Sequence, residues 1–175
     1  AVTRRGSSDL RSGATITFEP AAWRSEPEDR YYADGSTNVR ASRDRSNFTK
    51  ANVWASGPIV HDRLFLFAMY EQRDSNSRYT NASGNTLTRS GGDNGFWGTK
   101  LDWNISDDHL LELLAFSDEA SNDTSTYAYS WDEGIIGAHS GDRSTESGGK
   151  SGPVTYTGRF GEDSTAKAMY GTNRS

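Results

Sequence analysis

The residues with the greatest chemical reach in this 175-residue chain are the run Gly148-Gly149-Lys150-Ser151-Gly152, three histidines and two acidic pairs. A loop that cradles phosphate needs a glycine six residues before its lysine, so that backbone N–H groups can close on the anion at the start of a helix. Ser144 stands there, and Pro153 follows almost at once, where the helix would have to begin. His61, His109 and His139 lie far apart, near turns or in a loop. No HExxH, GxSxG or paired-carboxylate arrangement accompanies them. Asp107-Asp108 and Asp132-Glu133 are adjacent pairs, without the every-second-residue spacing of a calcium loop. The sequon Asn47-Phe48-Thr49 carries no meaning in a bacterial protein. The expectation is therefore no enzyme, no catalytic or metal-binding residue, and no cofactor.

Composition narrows the scaffold that carries these residues. Only 33% of residues are hydrophobic and the mean hydropathy is -0.82, while 11% are aromatic, with five Trp, and 18 are Gly. Such polarity would suggest disorder, but the apolar residues alternate. That combination suits sheets with a single apolar face, and leaves too little for a two-sided core. A net charge of -5 with pI near 5.2 argues against nucleic acid as a partner. The absence of Cys excludes disulfide and thiolate-metal frameworks. No signal peptide is visible at Ala1. The longest apolar runs, from Leu64 and from Leu110, span about seven residues, far below the roughly 20 of a spanning helix. A transmembrane β-strand needs only about 9–11 residues and leaves no hydropathy peak.

Seven strands are predicted, at about 11–22, 47–57, 63–73, 94–104, 109–118, 152–160 and 165–174. Their connections alternate. Short turns at 57–63, 104–109 and 160–164 separate long polar segments from Trp23 to Ser46, Asp74 to Asp93 and Glu119 to Ser151. Short turns at one end and long loops at the other are the pattern of an outer-membrane barrel. The 121–134 stretch, rich in Ser, Asn, Asp and Tyr, reads as a solvated loop. Any helix should be no longer than two turns and lie within 119–151.

Side chains alternate across a strand, so each segment can be sorted into faces. Trp97, Leu101, Trp103, Leu111, Leu113, Val154, Tyr156, Phe160, Ala166 and Ala168 are assigned to a lipid-facing, convex side. Lys100, Asp102, Glu112, Arg159 and Lys167 are assigned to the concave, lumenal side, as candidate lumen-facing polar residues. Phe65, Phe67 and Met69 share a face with Glu71, and Leu110, Leu114 and Phe116 share one with Glu112, so the lumenal side is partly apolar. Trp103 and Phe160 stand near short turns, Trp23 and Trp97 toward long loops, as interface aromatics do. A secreted soluble β-sandwich that binds carbohydrate shares the same alternation and is the second reading. An enzyme barrel is a third, without a supporting constellation.

Three stretches resemble one family. AVTRRGSSDLRSGATITFEP from Ala1 resembles the junction of plug and barrel in TonB-dependent outer-membrane receptors. ASGPIVHDRLFLFAMYEQR from Ala55 is similar to that family's first periplasmic turn and following strand, and GRFGEDSTAKAMYGTN from Gly158 to a later hairpin. The likeness is nearest to the Oar-like group. His61 stands where Lys is usual and Leu66 where Phe is usual.

The resemblance implies a fragment of a 22-stranded barrel, with residues 1–10 the end of the plug and 11–175 the N-terminal part of the barrel. It also implies an outer-membrane location and energised uptake of a siderophore, oligosaccharide or similar ligand. The implied partners are outer-membrane lipid, the TonB complex through a missing N-terminal part, and a ligand of unknown identity. The fold expected is an all-β antiparallel up-and-down meander: a curved, open sheet with two free edges, a partial transmembrane β-barrel.

Overall fold

In the computed structural model, residues 8–174 are described; residues 1–7, and with them most of the 1–10 plug junction, lie outside the described residues. Strands occupy 73% of the described residues. They are β1 (Arg11–Glu19), β2 (Arg30–Tyr31), β3 (Thr37–Val39), β4 (Arg45–Val60), β5 (Leu64–Thr80), β6 (Thr86–Ser106), β7 (His109–Ser117), β8 (Ala120–Ser130), β9 (Ile135–Ser147), β10 (Lys150–Phe160) and β11 (Ser164–Arg174). Among the described residues the only helical element is one 3-10 turn, Ala21–Trp23. No helix among the described residues exceeds two turns, as expected, but the one turn lies in the 20–44 segment rather than within 119–151, which forms strands.

The main sheet is an antiparallel meander in the order β1-β4-β5-β6-β7-β10-β11. β8 continues β7 along the same partner: Trp97 pairs with Ser117 and Asn94 with Ala120 on one register of β6. β9 likewise runs on into β10. The breaks lie side by side, Asp118-Glu119 against Gly148-Gly149. There the Asp118 N–H donates to the Gly149 carbonyl at 3.1 Å and the Gly149 N–H to Asp118 Oδ1 at 2.9 Å. Gly148 adopts φ +83°, and a Cβ there would meet the Asp118 carbonyl at 2.1 Å, so this position needs glycine. Counted this way the main sheet has seven strands, each paired with its neighbour in sequence.

The three short turns are where the sequence places them, after Val60, Ser106 and Phe160. Asp62 takes φ 59° in the first, a conformation its short polar side chain tolerates. Two of the three long connections are corrected. Residues 74–93 form the upper halves of β5 and β6, closed by a turn at 81–85, and 119–151 forms β8 and β9. Polar residues lie on both faces of these upper hairpins. Backbone pairing holds them without the apolar alternation by which a strand is recognised in sequence. The third connection, 20–44, folds back on itself. The Asp29 carboxylate accepts from the Ala41 and Ser42 N–H groups at 2.7 and 2.8 Å.

Burial is sparse. The buried apolar residues are Leu87, Tyr129 and Trp131, with Ile136 packed on them at the hairpin tips. The chain exposes 11857 Å², where a compact monomer of this mass would expose about 8,400 Å². No second sheet packs on either face among the described residues. β1 and β11 each leave one edge unpaired, so the sheet is open and no closed barrel forms.

Candidate functional site: the two faces of the sheet

Register fixes the faces. Lys100 pairs with Leu114, Asp102 with Glu112, Glu112 with Thr155, and Thr157 with Lys167, which puts Lys100, Asp102, Glu112, Arg159 and Lys167 on one face. Phe65, Phe67, Met69 and Glu71 join them, since Phe67 pairs with Lys100 and Phe65 with Asp102. Leu101, Trp103, Leu111, Leu113, Val154, Tyr156, Ala166 and Ala168 fall on the opposite face.

The structure brings three of the five predicted polar residues together. Lys100 Nζ lies 2.7 Å from Glu112 Oε1 and 3.0 Å from Asp102 Oδ1. Lys100 and Asp102 are each only 5% exposed. One ammonium between two carboxylates leaves a net charge of -1. Charges taken this far from water persist only when paired, because desolvating each ion costs several kcal/mol. Arg159 stands apart at the short-turn end, with Nη1 3.9 Å from Asp108, and Lys167 is exposed on the edge strand.

A second polar knot was not singled out in the sequence. Glu71, 8% exposed, is held by Arg73, by Lys50 at 4.0 Å and by Asn52 at 3.4 Å. Aromatic pairs fill the space around the two knots: Trp54 stacks on Phe67 at 6.3 Å and Phe96 on Phe116 at 6.2 Å. Gly13 sits against the Trp54 indole, where a Cβ would come within 2.7 Å of Nε1. The shared face of Glu71 with Phe67 and Met69 was readable in the sequence; its contacts with Lys50 and Asn52 depend on the β4–β5 register.

The opposite face is free of charge between its aromatic ends. Toward the upper hairpins it carries Phe18, Tyr70, Trp97 and Tyr170, and toward the short turns Trp103, Tyr156 and Phe160. Between these lie Ala14, Ile16, Ala51, Val53, Ala55, Leu66, Ala68, Thr99, Leu101, Leu113, Val154, Ala166 and Ala168. Trp23 packs edge-on to Phe18 at 5.8 Å at the upper end. At the lower end the Tyr156 hydroxyl bonds His109 Nδ1 at 2.7 Å, and His109 also meets the edge of Phe160. Trp97 and Trp103 are six residues apart, which sets the band at about 20 Å along the strand.

At the hairpin tips, Arg43 donates to the Tyr129 hydroxyl and the Trp131 carbonyl, and Arg40 and Arg43 lie over the Trp131 ring at 5.6 and 5.1 Å. These contacts clamp the 20–44 segment onto the hairpins. Among the described residues no group of three or more His, Asp or Glu is placed to hold a metal ion.

No family model, curated protein or solved structure matches the chain. The functional reading therefore rests on the faces.

Proposed function

We propose that the chain is wall from the N-terminal part of a transmembrane β-barrel in the bacterial outer membrane. The receptor is of the TonB-dependent, Oar-like kind, taking up a siderophore, oligosaccharide or similar ligand. One observation carries the reading: an uncharged apolar band crosses all seven wall strands, with aromatic residues at both ends, while the charged residues at that height lie on the other face. An apolar band about 25 Å tall with aromatic girdles is the outer surface of such barrels, and a polar interior is its complement. In this reading Lys100, Asp102, Glu112, Arg159 and Lys167 face the lumen. The short turns are periplasmic, and the long hairpins with the 20–44 segment are extracellular.

Two features favour this over a soluble carbohydrate-binding sandwich. A sandwich buries the apolar face of each sheet against a second sheet about 10 Å away, and the described residues contain, beside the main sheet, only the two-stranded β2–β3 pair. The two open edges also suit a piece of a larger closed sheet, since unpaired strand edges are not tolerated in hydrocarbon. The partly apolar lumenal face, with Phe67, Leu114 and Phe116, suits a barrel filled by a plug. In this reading the described residues take no part in coupling to TonB.

The test is single-cysteine labelling in the full-length protein in native outer membrane. Cysteine at Leu113 should react only with a lipid-phase reagent, and cysteine at Thr155 with a water-soluble maleimide. Equal reaction of both positions with the water-soluble reagent would refute the wall reading.

A further inference from the structure

The upper hairpins present two chemically different faces. On the outward face, that of the apolar band, Arg45, Arg78 and Arg89 stand on one rung among Asp74, Asp123, Asp142 and Glu146. The inward face, continuous with that of Glu71 and Lys100, is built from hydroxyls and amides. Ser46 pairs with Ser77, Ser77 with Ser90, Ser90 with Thr124, and Thr124 with Arg143. One rung nearer the tips stand Tyr79, Thr88 and Thr126, and one rung below stand Phe48, Ser75 and Asn122. Arg143 is the one charged residue on these three inward rungs. A strand face that only meets water readily carries charges of both signs, as the outward face does. An uncharged face of hydroxyls and amides complements a ligand that is itself uncharged and rich in hydroxyls.

The inward polar groups are tied to one another. Ser90 Oγ lies 3.1 Å from Asn122 Oδ1 and 3.2 Å from Thr124 Oγ1, and Asn122 Nδ2 donates to Ser90 Oγ at 2.8 Å. The linkage orients these groups, and each hydroxyl keeps acceptor capacity beyond it. At its β4 side the face opens into a groove of about 640 Å³, lined by Ser46, Ser77 and Tyr79 together with Ala21, Ala22 and Pro27 of the 20–44 segment. The charges along that groove balance: Arg24, Arg45 and Arg78 line it with Glu26 and Asp44, and Arg24 is bonded to Glu19 at 2.6 Å. Tyr79 is 47% exposed, and such a ring offers a flat apolar surface with a hydroxyl at its tip.

The three rungs cross β4, β5, β6, β8 and β9, a surface about 19 Å across and about 14 Å along the strands, with room for several linked sugar rings. We propose that this face binds a neutral oligosaccharide, with Tyr79 stacking on a sugar ring and Ser77, Ser90, Asn122 and Thr124 bonding its hydroxyls. Sugar hydroxyls donate and accept at once, as serine, threonine and asparagine side chains do, so the two sides match with no charge to neutralise. A ferric catecholate siderophore is an anion and calls for clustered cations, where this face offers only Arg143. The inference rests on the wall reading, which turns this face toward the lumen, and narrows the ligand class of that reading.

The experiment uses the full-length protein in detergent, with maltohexaose, cellohexaose, xylohexaose, mannohexaose and chitohexaose as neutral probes. Hexagalacturonic acid and a ferric tricatecholate are the charged probes. At least one neutral hexamer should bind in titration calorimetry, and the charged probes about tenfold more weakly or not at all. Tyr79→Ala and Ser77→Arg should each weaken that sugar about tenfold. Tyr79→Phe, which keeps the ring, and Ser144→Arg, on the outward face opposite Asp123, should bind as the parent does. Heat-modifiable gel migration shows which variants are folded. No binding by any neutral hexamer, equal binding of a charged probe, or unchanged affinity in either folded variant, Tyr79→Ala or Ser77→Arg, overturns the proposal. Cysteine labelling at Leu113 and Thr155 separates the two ideas: with the wall pattern present and no sugar bound, only the sugar site fails.

Discussion

Lys100 and Glu112 meet diagonally across the β6–β7 ladder, Nζ to Oε1 at 2.7 Å, in a sheet with no second layer to bury them. Their shielding comes from Asp102 and from the surrounding apolar side chains of the same face. Lys100→Met removes the cation that lies between Asp102 and Glu112, which are direct cross-strand partners. The expected loss is about 3–5 kcal/mol in urea unfolding in lipid or detergent, the cost of orphaning a buried charge. Adding Asp102→Asn and Glu112→Gln should restore most of it. A Lys100→Met variant as stable as the parent would show that the charges are solvated in the folded protein.

On the opposite face the sign of tolerance reverses. Leu101→Arg puts a cation at the middle of the apolar band and should cost about 2–4 kcal/mol in a bilayer. Thr155→Arg, on the face of Lys100, should cost far less. Urea midpoints of the two variants in lipid vesicles compare the faces directly.

Gly148→Ala forces a β-carbon into the Asp118 carbonyl and a side chain into left-handed backbone. A residue held there costs on the order of 1–3 kcal/mol. The effect should be local. Hydrogen exchange should accelerate in β8 and β9, while β4, β5 and β10 keep their protection.

Burial raises the pKa of Asp44, against the lowering effects of its bonds to Thr80 and of the nearby Arg78. A carboxyl whose folded pKa exceeds its unfolded one favours folding when protonated, so its contribution weakens as pH rises through the carboxylate range. Asp44→Asn keeps the acceptor for the Thr80 N–H and removes the charge. Its midpoint should therefore equal or exceed the parent's at neutral pH, with the difference vanishing at acid pH. A variant that melts lower at neutral pH contradicts this sign.

The wall core was legible in the sequence because each of its strands keeps one face apolar. Ala14, Ile16 and Phe18, or Trp97, Leu101 and Trp103, carry a period of two that only an extended chain with a wet opposite side explains. The short turns followed from where that period broke. The upper hairpins were not legible. In Asn122–Tyr129 and Thr86–Ser90 the polar residues fall on both faces, so pairing leaves no trace in hydropathy. The Lys100–Asp102–Glu112 cluster was readable as a shared face but not as a contact, since it depends on the β6–β7 register. The alignment of Arg45, Arg78 and Arg89 on one rung depends on two registers at once, those of β4–β5 and β5–β6.

The neighbour-to-neighbour pairing has a kinetic consequence. β5 reaches β4 across the three residues 61–63, but β1 reaches β4 only across 20–44. Closing a 25-residue loop instead of a three-residue one costs about 2 kcal/mol more in chain entropy. β1 is thus slower than β5 to find β4, and waits for the 20–44 segment to order. The hairpins closed by two or three residues, β4–β5, β6–β7 and β10–β11, are the natural seeds, and β1 locks late.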